Sequence, residues 1–247
     1  MDSKTSAKIP IVIIVTPGQN RHIPLVEALR NSSIFRVQEL AATMGSDLEG
    51  PFEKASEREL IQYGRALTAN ERACAISHLR ARYIIADSQL GGVILEDDAR
   101  VINLTVLETS VANFLNKSQG KCKILSLVDY RDSHKNHQRR LIKKLLPTFR
   151  LFAECPLAVA VALTPHAARN LIESAQFSSQ VSDWPESNCQ FSCLASGNFR
   201  HGDTNTTSII GDIAERKVTN IGNLSLGRRW RRLLQKIDSL MIMWVQK

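Results

Sequence analysis

Glu96-Asp97-Asp98 sets three carboxylates in succession directly after the apolar run Val93-Ile94-Leu95. Like charges at that spacing repel one another, and a bound cation relieves the repulsion. Alternation along an extended segment turns Glu96 and Asp98 to one side and Asp97 to the other. The outer pair therefore reads as ligands for a divalent metal, Mn2+ or Mg2+, facing a phosphate-bearing ligand. The competing reading is a strand running into a solvated acidic turn. A second constellation, Val181-Ser182-Asp183-Trp184-Pro185, places an aspartate beside an indole. A sugar can stack an apolar face on the ring while the carboxylate takes a hydroxyl proton. Pro185 biases Trp184 away from helix, so Asp183 falls on extended chain, where capping a local turn is its alternative role.

The elements that must position these groups follow from periodicity. Ile9 to Val15 has the branching and continuity of a fully buried strand, and Thr16-Pro17-Gly18 ends it. A short helix over His22–Asn31 and a second strand over Phe35–Leu40 complete a Rossmann-like opening without the G-x-G-x-x-G fingerprint. Arg21, between the first strand and that helix, is placed to contact a phosphate, or to sit on the surface. Residues 44–64 are polar and punctuated by glycine, a loop with a short helix over 53–63 that could cover a bound ligand. Thr68-Ala69-Asn70-Glu71 is a capping box that starts the clearest helix. Ile76, Leu79, Tyr83 and Ala86 form its apolar stripe, with Glu71, Ala75, His78 and Arg82 on another face. Gly91-Gly92 opens the strand that ends on the three acids.

Beyond the acids, a helix is expected over Leu104–Asn116 and a buried strand over Lys123–Val128, with Asp129-Tyr130-Arg131-Asp132 at its ligand-facing end. Arg139 to Arg150 reads as a solvated basic face over leucines. The small apolar run Leu157–Leu163 leads into Thr164-Pro165, which caps a helix over His166–Ser174. From Leu226 to Val245, apolar residues including Trp230, Leu233, Ile237, Met241 and Trp244 recur at helical spacing among arginines. Such a helix fits either a membrane interface or the protein's own core.

The composition bounds the function. The chain has 247 residues, 43% of them hydrophobic and 23% charged, which suits one substantial core. The net charge of +8 is concentrated at Arg139, Arg140, Lys143 and Lys144 and again at Arg228, Arg229, Arg231, Arg232 and Lys236. That favours a polyanion or an anionic membrane surface. Only 6% of residues are aromatic, with few interleaved among the basic clusters, which places a nucleic-acid binder well behind. Five cysteines with no C-x-x-C pair suggest reduced thiols in the cytosol. The apolar run after Lys4 and Lys8 is too short for a secretory signal, and none is long enough to span a membrane.

Three segments together resemble a known family: Leu67-Thr68-Ala69-Asn70-Glu71-Arg72-Ala73-Cys74-Ala75-Ile76-Ser77-His78, then the strand with Glu96-Asp97-Asp98, then Val181-Ser182-Asp183-Trp184-Pro185. In this order they resemble glycosyltransferase family 25, the lipooligosaccharide galactosyltransferase group, whose first pattern reads roughly L-T-x-x-E-x-G-C-x-x-S-H. Ala73 stands where the family prefers glycine. The resemblance spans most of residues 9 to 210. It implies an α/β, GT-A-type, Rossmann-like nucleotide-sugar-binding sheet flanked by helices (residues 1–222), followed by the amphipathic C-terminal helix (residues 223–247). The implied reaction is an inverting, single displacement, with UDP-galactose as donor, a lipooligosaccharide or LPS glycan as acceptor and Mn2+ or Mg2+ as cofactor. On this reading Asp183 is the base. Glu96 and Asp98 hold the metal with His201 as a late ligand, and Arg21, His78 and Asp97 contact the donor. The enzyme is expected to be cytoplasmic, peripheral on the inner membrane, with no nucleic-acid partner. Two other classes remain: a non-catalytic binder of an anionic glycolipid or nucleic acid, and a metal-dependent phosphohydrolase.

Overall fold

The computed structural model describes residues 8–50, 66–128, 148–150, 159–175, 189–194 and 197–200. The expected C-terminal helix lies outside these residues.

The opening is strand, helix, strand: β1 (Ile9–Val15), α1 (Ile23–Arg30) and β2 (Phe35–Ala41). After a short 3-10 turn at Gly45–Asp47, α2 (Ala69–Ala86) leads into β3 (Gly92–Glu96). The two-residue β4 (Arg100–Val101), α3 (Leu104–Lys117) and β5 (Lys123–Ser126) follow. The remaining elements are β6 (Thr148–Arg150), β7 (Ala160–Leu163), α4 (Pro165–Ser174), β8 (Gln190–Leu194) and β9 (Phe199–Arg200).

Seven strands form one sheet in the order β2-β1-β3-β7-β5-β8-β6. β1 is parallel to both β2 and β3, and β5 is parallel to β8. β7 runs against both neighbours and β6 runs against β8, so two strands oppose the other five. Both faces are covered, which is why β1 and β3 carry apolar residues in unbroken runs rather than alternately. Ile11, Ile13, Val93 and Leu95 pack with Leu25 and Leu29 of α1 and Leu107 and Val111 of α3. Val12, Ile14 and Ile94 pack on the other face with Ala81 and Ile85 of α2 and Ala168 and Leu171 of α4.

The glycine pair before β3 is explained by crowding on both sides. Gly91 has φ +87°, and a Cβ there would run into the Leu163 carbonyl oxygen. At Gly92 a Cβ would lie 2.6 Å from the Pro10 carbonyl oxygen and would also strike Ile85 Cδ1. α2 therefore rests against β3 only because a side chain is missing. Gly92→Ala is expected to destabilise the fold by about 1–3 kcal/mol, read from denaturant unfolding. A midpoint equal to wild type would show that this contact is not tight.

α2 starts as expected. Thr68 Oγ1 accepts from the Glu71 amide at 3.2 Å and Glu71 Oε2 accepts from the Thr68 amide at 2.9 Å. Its buried side corrects the stripe reading, because Tyr83 is 49% exposed whereas Ser77, His78 and Arg82 are buried. These polar residues face inward because α2 also anchors the chain leaving β2. Ser77 Oγ accepts from the Thr43 amide at 2.9 Å, and Arg80 donates to the Ala41 carbonyl at 2.9 Å. Ala73 is 2% exposed, so it packs inward, and its carbonyl accepts from the Ser77 hydroxyl.

Of the basic stretch over residues 139–150, Thr148–Arg150 form an edge strand, β6, and residues 139–147 lie outside the described residues. The cysteines also differ from the expectation of reduced thiols. β5 and β8 pair in the register Lys123↔Gln190, so Cys122 and Cys189 stand opposite one another and are joined as a disulfide, Cα–Cα 4.8 Å. Their separation of 67 residues conceals this in the sequence. Cys74 and Cys193 take no part in a disulfide, and Cys155 lies outside the described residues.

Candidate functional site

β1 connects outward to β2, while β3 lies on its other side, so the β1–β3 boundary is where the strand order reverses. In an open α/β sheet the crevice beyond the carboxyl ends of the strands at such a point binds ligands. The residues leaving β1 here are Thr16 and Arg21; those leaving β3 are Glu96, Asp97 and Asp98.

Side-chain alternation sorts the acids. Glu96 shares the face of Ile94, which α2 covers, and its Oε1 lies 3.1 Å from Nε2 of His78. His78 is 1% exposed, and the Glu96 side chain retains 24% exposure. Asp97 turns the other way and is buried. Its Oδ2 accepts from the Thr16 amide at 3.0 Å and its Oδ1 pairs with Arg21 at 2.8 Å. Arg21 also donates to Thr16 Oγ1 at 3.3 Å, and Arg100 donates to the Arg21 carbonyl at 3.3 Å. Asp97 is thus the tie between the ends of β1 and β3. The Arg21 Nε is buried with no acceptor among the described residues, a donor that a ligand oxygen could fill.

The extended geometry expected for the acids stops at Glu96. β3 ends there, Asp97 and Asp98 form a turn, and the Ala99 amide bonds back to the Glu96 carbonyl at 3.1 Å. Strand alternation therefore does not govern where Asp98 points. Asp98 is half-buried at the turn. Among the described residues, the one group with metal-ligand potential is Cys74, His78 and Glu96, whose donor atoms all lie within 4.8 Å of one another. Cys74 falls on the cysteine of the family-like pattern but was not read as a ligand. The signal was its spacing of four from His78, which puts both on one helix face. Asp183 and His201 lie outside the described residues. Arg200, just before His201, pairs with Arg100, two residues past Asp98.

Arg82 continues the Cys74–His78 face by one turn and is 7% exposed. Burial pushes its guanidinium down from the ordinary arginine range to about 10, while attraction to Cys74 pulls it upward. It stays charged at neutral pH. The folded state holds this proton less tightly than the unfolded state, so the charge opposes folding below pH 10. That opposition is relieved only as pH rises from about 10 towards the ordinary arginine range. Arg82→Met, which keeps the volume and removes the charge, is expected to leave the melting temperature at pH 7 unchanged or higher. A fall of several degrees would mean that the guanidinium is compensated in place.

No curated protein matches the chain. The model of the family described as glycosyltransferase family 25 (LPS biosynthesis protein) matches residues 29–184. This span is more than half of the chain and takes in the capping-box helix, the β3 acids and the Asp183-Trp184 pair. An α/β sheet whose reversal point gathers acids and an arginine is thereby joined to a sequence match along its length, and the chain belongs to glycosyltransferase family 25.

Proposed function

We propose that this glycosyltransferase moves a hexose, galactose from UDP-galactose, onto a lipooligosaccharide or LPS glycan by a metal-dependent inverting displacement on a GT-A-type fold. The observation that carries the reading is the placement of Arg21 after β1, and of Glu96 and Asp98 at the end of β3 and in the turn beyond it, on neighbouring parallel strands where the sheet reverses.

The diphosphate of the donor lies against Arg21, held in place by Asp97 and offering an unfilled Nε donor. Arginine suits this task because its planar, permanently charged fork matches phosphate oxygens. His78 fixes the carboxylate of Glu96 and so acts on the donor indirectly. Glu96, Asp98 and His201 would hold the divalent metal. Two carboxylates and an imidazole are an acceptable set for Mn2+, and the carboxylates alone for Mg2+. When bound, such an ion neutralises charge on the departing diphosphate. In the backbone register of β4 and β9, Arg200 stands opposite Arg100. Asp183 takes the proton from the acceptor hydroxyl, and Trp184 offers a surface for the sugar ring. One displacement with one base leads to inversion at the anomeric carbon.

The enzyme works at the cytoplasmic face of the inner membrane, with its basic C-terminal segment on anionic headgroups. Among the described residues, no helix is long and apolar enough to cross a membrane. The decisive assay is transfer from a panel of UDP-sugars to a truncated lipooligosaccharide, with manganese, with magnesium and with chelator. Metal-dependent product with UDP-galactose is the expected result. UDP-sugar hydrolysis that is indifferent to acceptor would favour a phosphohydrolase, and glycolipid retention without any turnover a binding protein.

A further inference from the structure

We propose that Cys74, His78 and Glu96 form a zinc site that clasps α2 to the end of β3, separate in its donor chemistry from the oxygen-rich metal site of sugar transfer. Cys74 and His78 are four residues apart on α2, so both reach the same side of the helix, and Glu96 meets them from the last position of β3. Their sulfur, nitrogen and oxygen donors lie within 4.8 Å of one another, and His78 and Glu96 are already 3.1 Å apart. Around a tetrahedral zinc, with bonds of about 2.0–2.3 Å, neighbouring donors stand roughly 3.3–3.8 Å apart. Closing the group onto an ion therefore needs a contraction of about 1 Å at its widest edge, within the reach of side-chain torsions.

The donor types choose the ion. A thiolate and an imidazole favour zinc, whereas manganese and magnesium favour oxygen. Three protein ligands leave a fourth position for water. Arg82 lies one turn beyond His78 on the same helix face and is buried beside the group.

The site does not depend on the sugar-transfer reading. Glu96 is common to both, and Asp98 and Cys74 separate them. The test uses the full, metal-stripped chain with its Cys122–Cys189 disulfide intact, titrated with Co2+ and then with Zn2+. Wild type is expected to develop thiolate-to-cobalt charge-transfer absorption that zinc abolishes. Cys74→Ser removes the absorption and weakens zinc by at least about 100-fold, since even loss of a group supporting a ligand costs 10- to 100-fold. Asp98→Asn retains it. A readout that needs no variant is alkylation of wild-type Cys74, followed by peptide mass. Zinc is expected to slow it strongly. Equal alkylation rates with and without zinc, or a Cys74→Ser protein that binds cobalt with the wild-type spectrum, would overturn the site. A cobalt–thiolate spectrum in a protein that transfers no sugar would instead leave the site standing and remove the function proposed above.

Discussion

Asp98→Asn lowers sugar transfer by about 100- to 1,000-fold, the usual range when one charge-stabilising group is removed from a reacting centre, and leaves the melting temperature close to wild type. The substitution keeps the size of the side chain and removes its charge. Asp98 stands half-buried in the turn beyond β3, past the last residue of the sheet. The neighbouring Asp97 carboxylate, in contrast, ties the end of β1 to the end of β3. If Asp98 holds the divalent ion, the variant should also need much more manganese to reach its residual rate. Initial rates over a manganese series, with melting curves on the same samples, make the check. Activity within about threefold of wild type would remove Asp98 from the metal, since loss of a metal ligand or its supporting group costs at least tenfold.

Asp97→Ala gives the opposite profile, a loss of about 3 kcal/mol of stability with lost activity as a consequence. The Asp97 carboxylate serves two clients from different parts of the chain, the Thr16 amide and the Arg21 guanidinium. Its removal strands a buried amide and leaves Arg21 without its counter-charge. Breaking such a pair from one side typically costs 3–5 kcal/mol. The lower end applies because the Arg21 side chain is 21% exposed and water takes up part of the lost interaction. In a chain of this size, 3 kcal/mol corresponds to a fall of roughly 6–12 °C in melting temperature. Asp97→Asn should recover part of this, since an amide oxygen can still accept from Thr16. Arg21→Ala should cost less than Asp97→Ala, and the double variant less than the sum of the two singles. A melting temperature unchanged in Asp97→Ala would mean that β1 and β3 are held together at this end by something else.

The contrast between these adjacent aspartates was beyond a reading of the sequence. Alternation separates Glu96 from Asp97, and the structure agrees. It does not reveal that Asp97 faces Arg21, 76 positions earlier, or that the strand stops before Asp98. His78 was singled out through family pattern and spacing, and it does stand at Glu96. Its burial was not foreseen, because a helix with polar residues on one face ordinarily turns that face to water. Here α2 uses it to hold the chain after β2 and the end of β3.

Local chemistry fixed a good deal without any partner. The strands at Ile9–Val15 and Gly92–Glu96, the capping box at Thr68 and the capped helix after Thr164 each come from signals within a few residues. The spacing of three motifs was enough to indicate the family. Strand order, the edge strand at Thr148–Arg150, the Cys122–Cys189 link and the meeting of Cys74, His78 and Glu96 came only with the folded chain. Periodicity says which residues share a face, but burial of that face against a particular neighbour is a choice among long-range packings. A hydrogen bond or disulfide across 67 or more positions leaves no mark in the residues between.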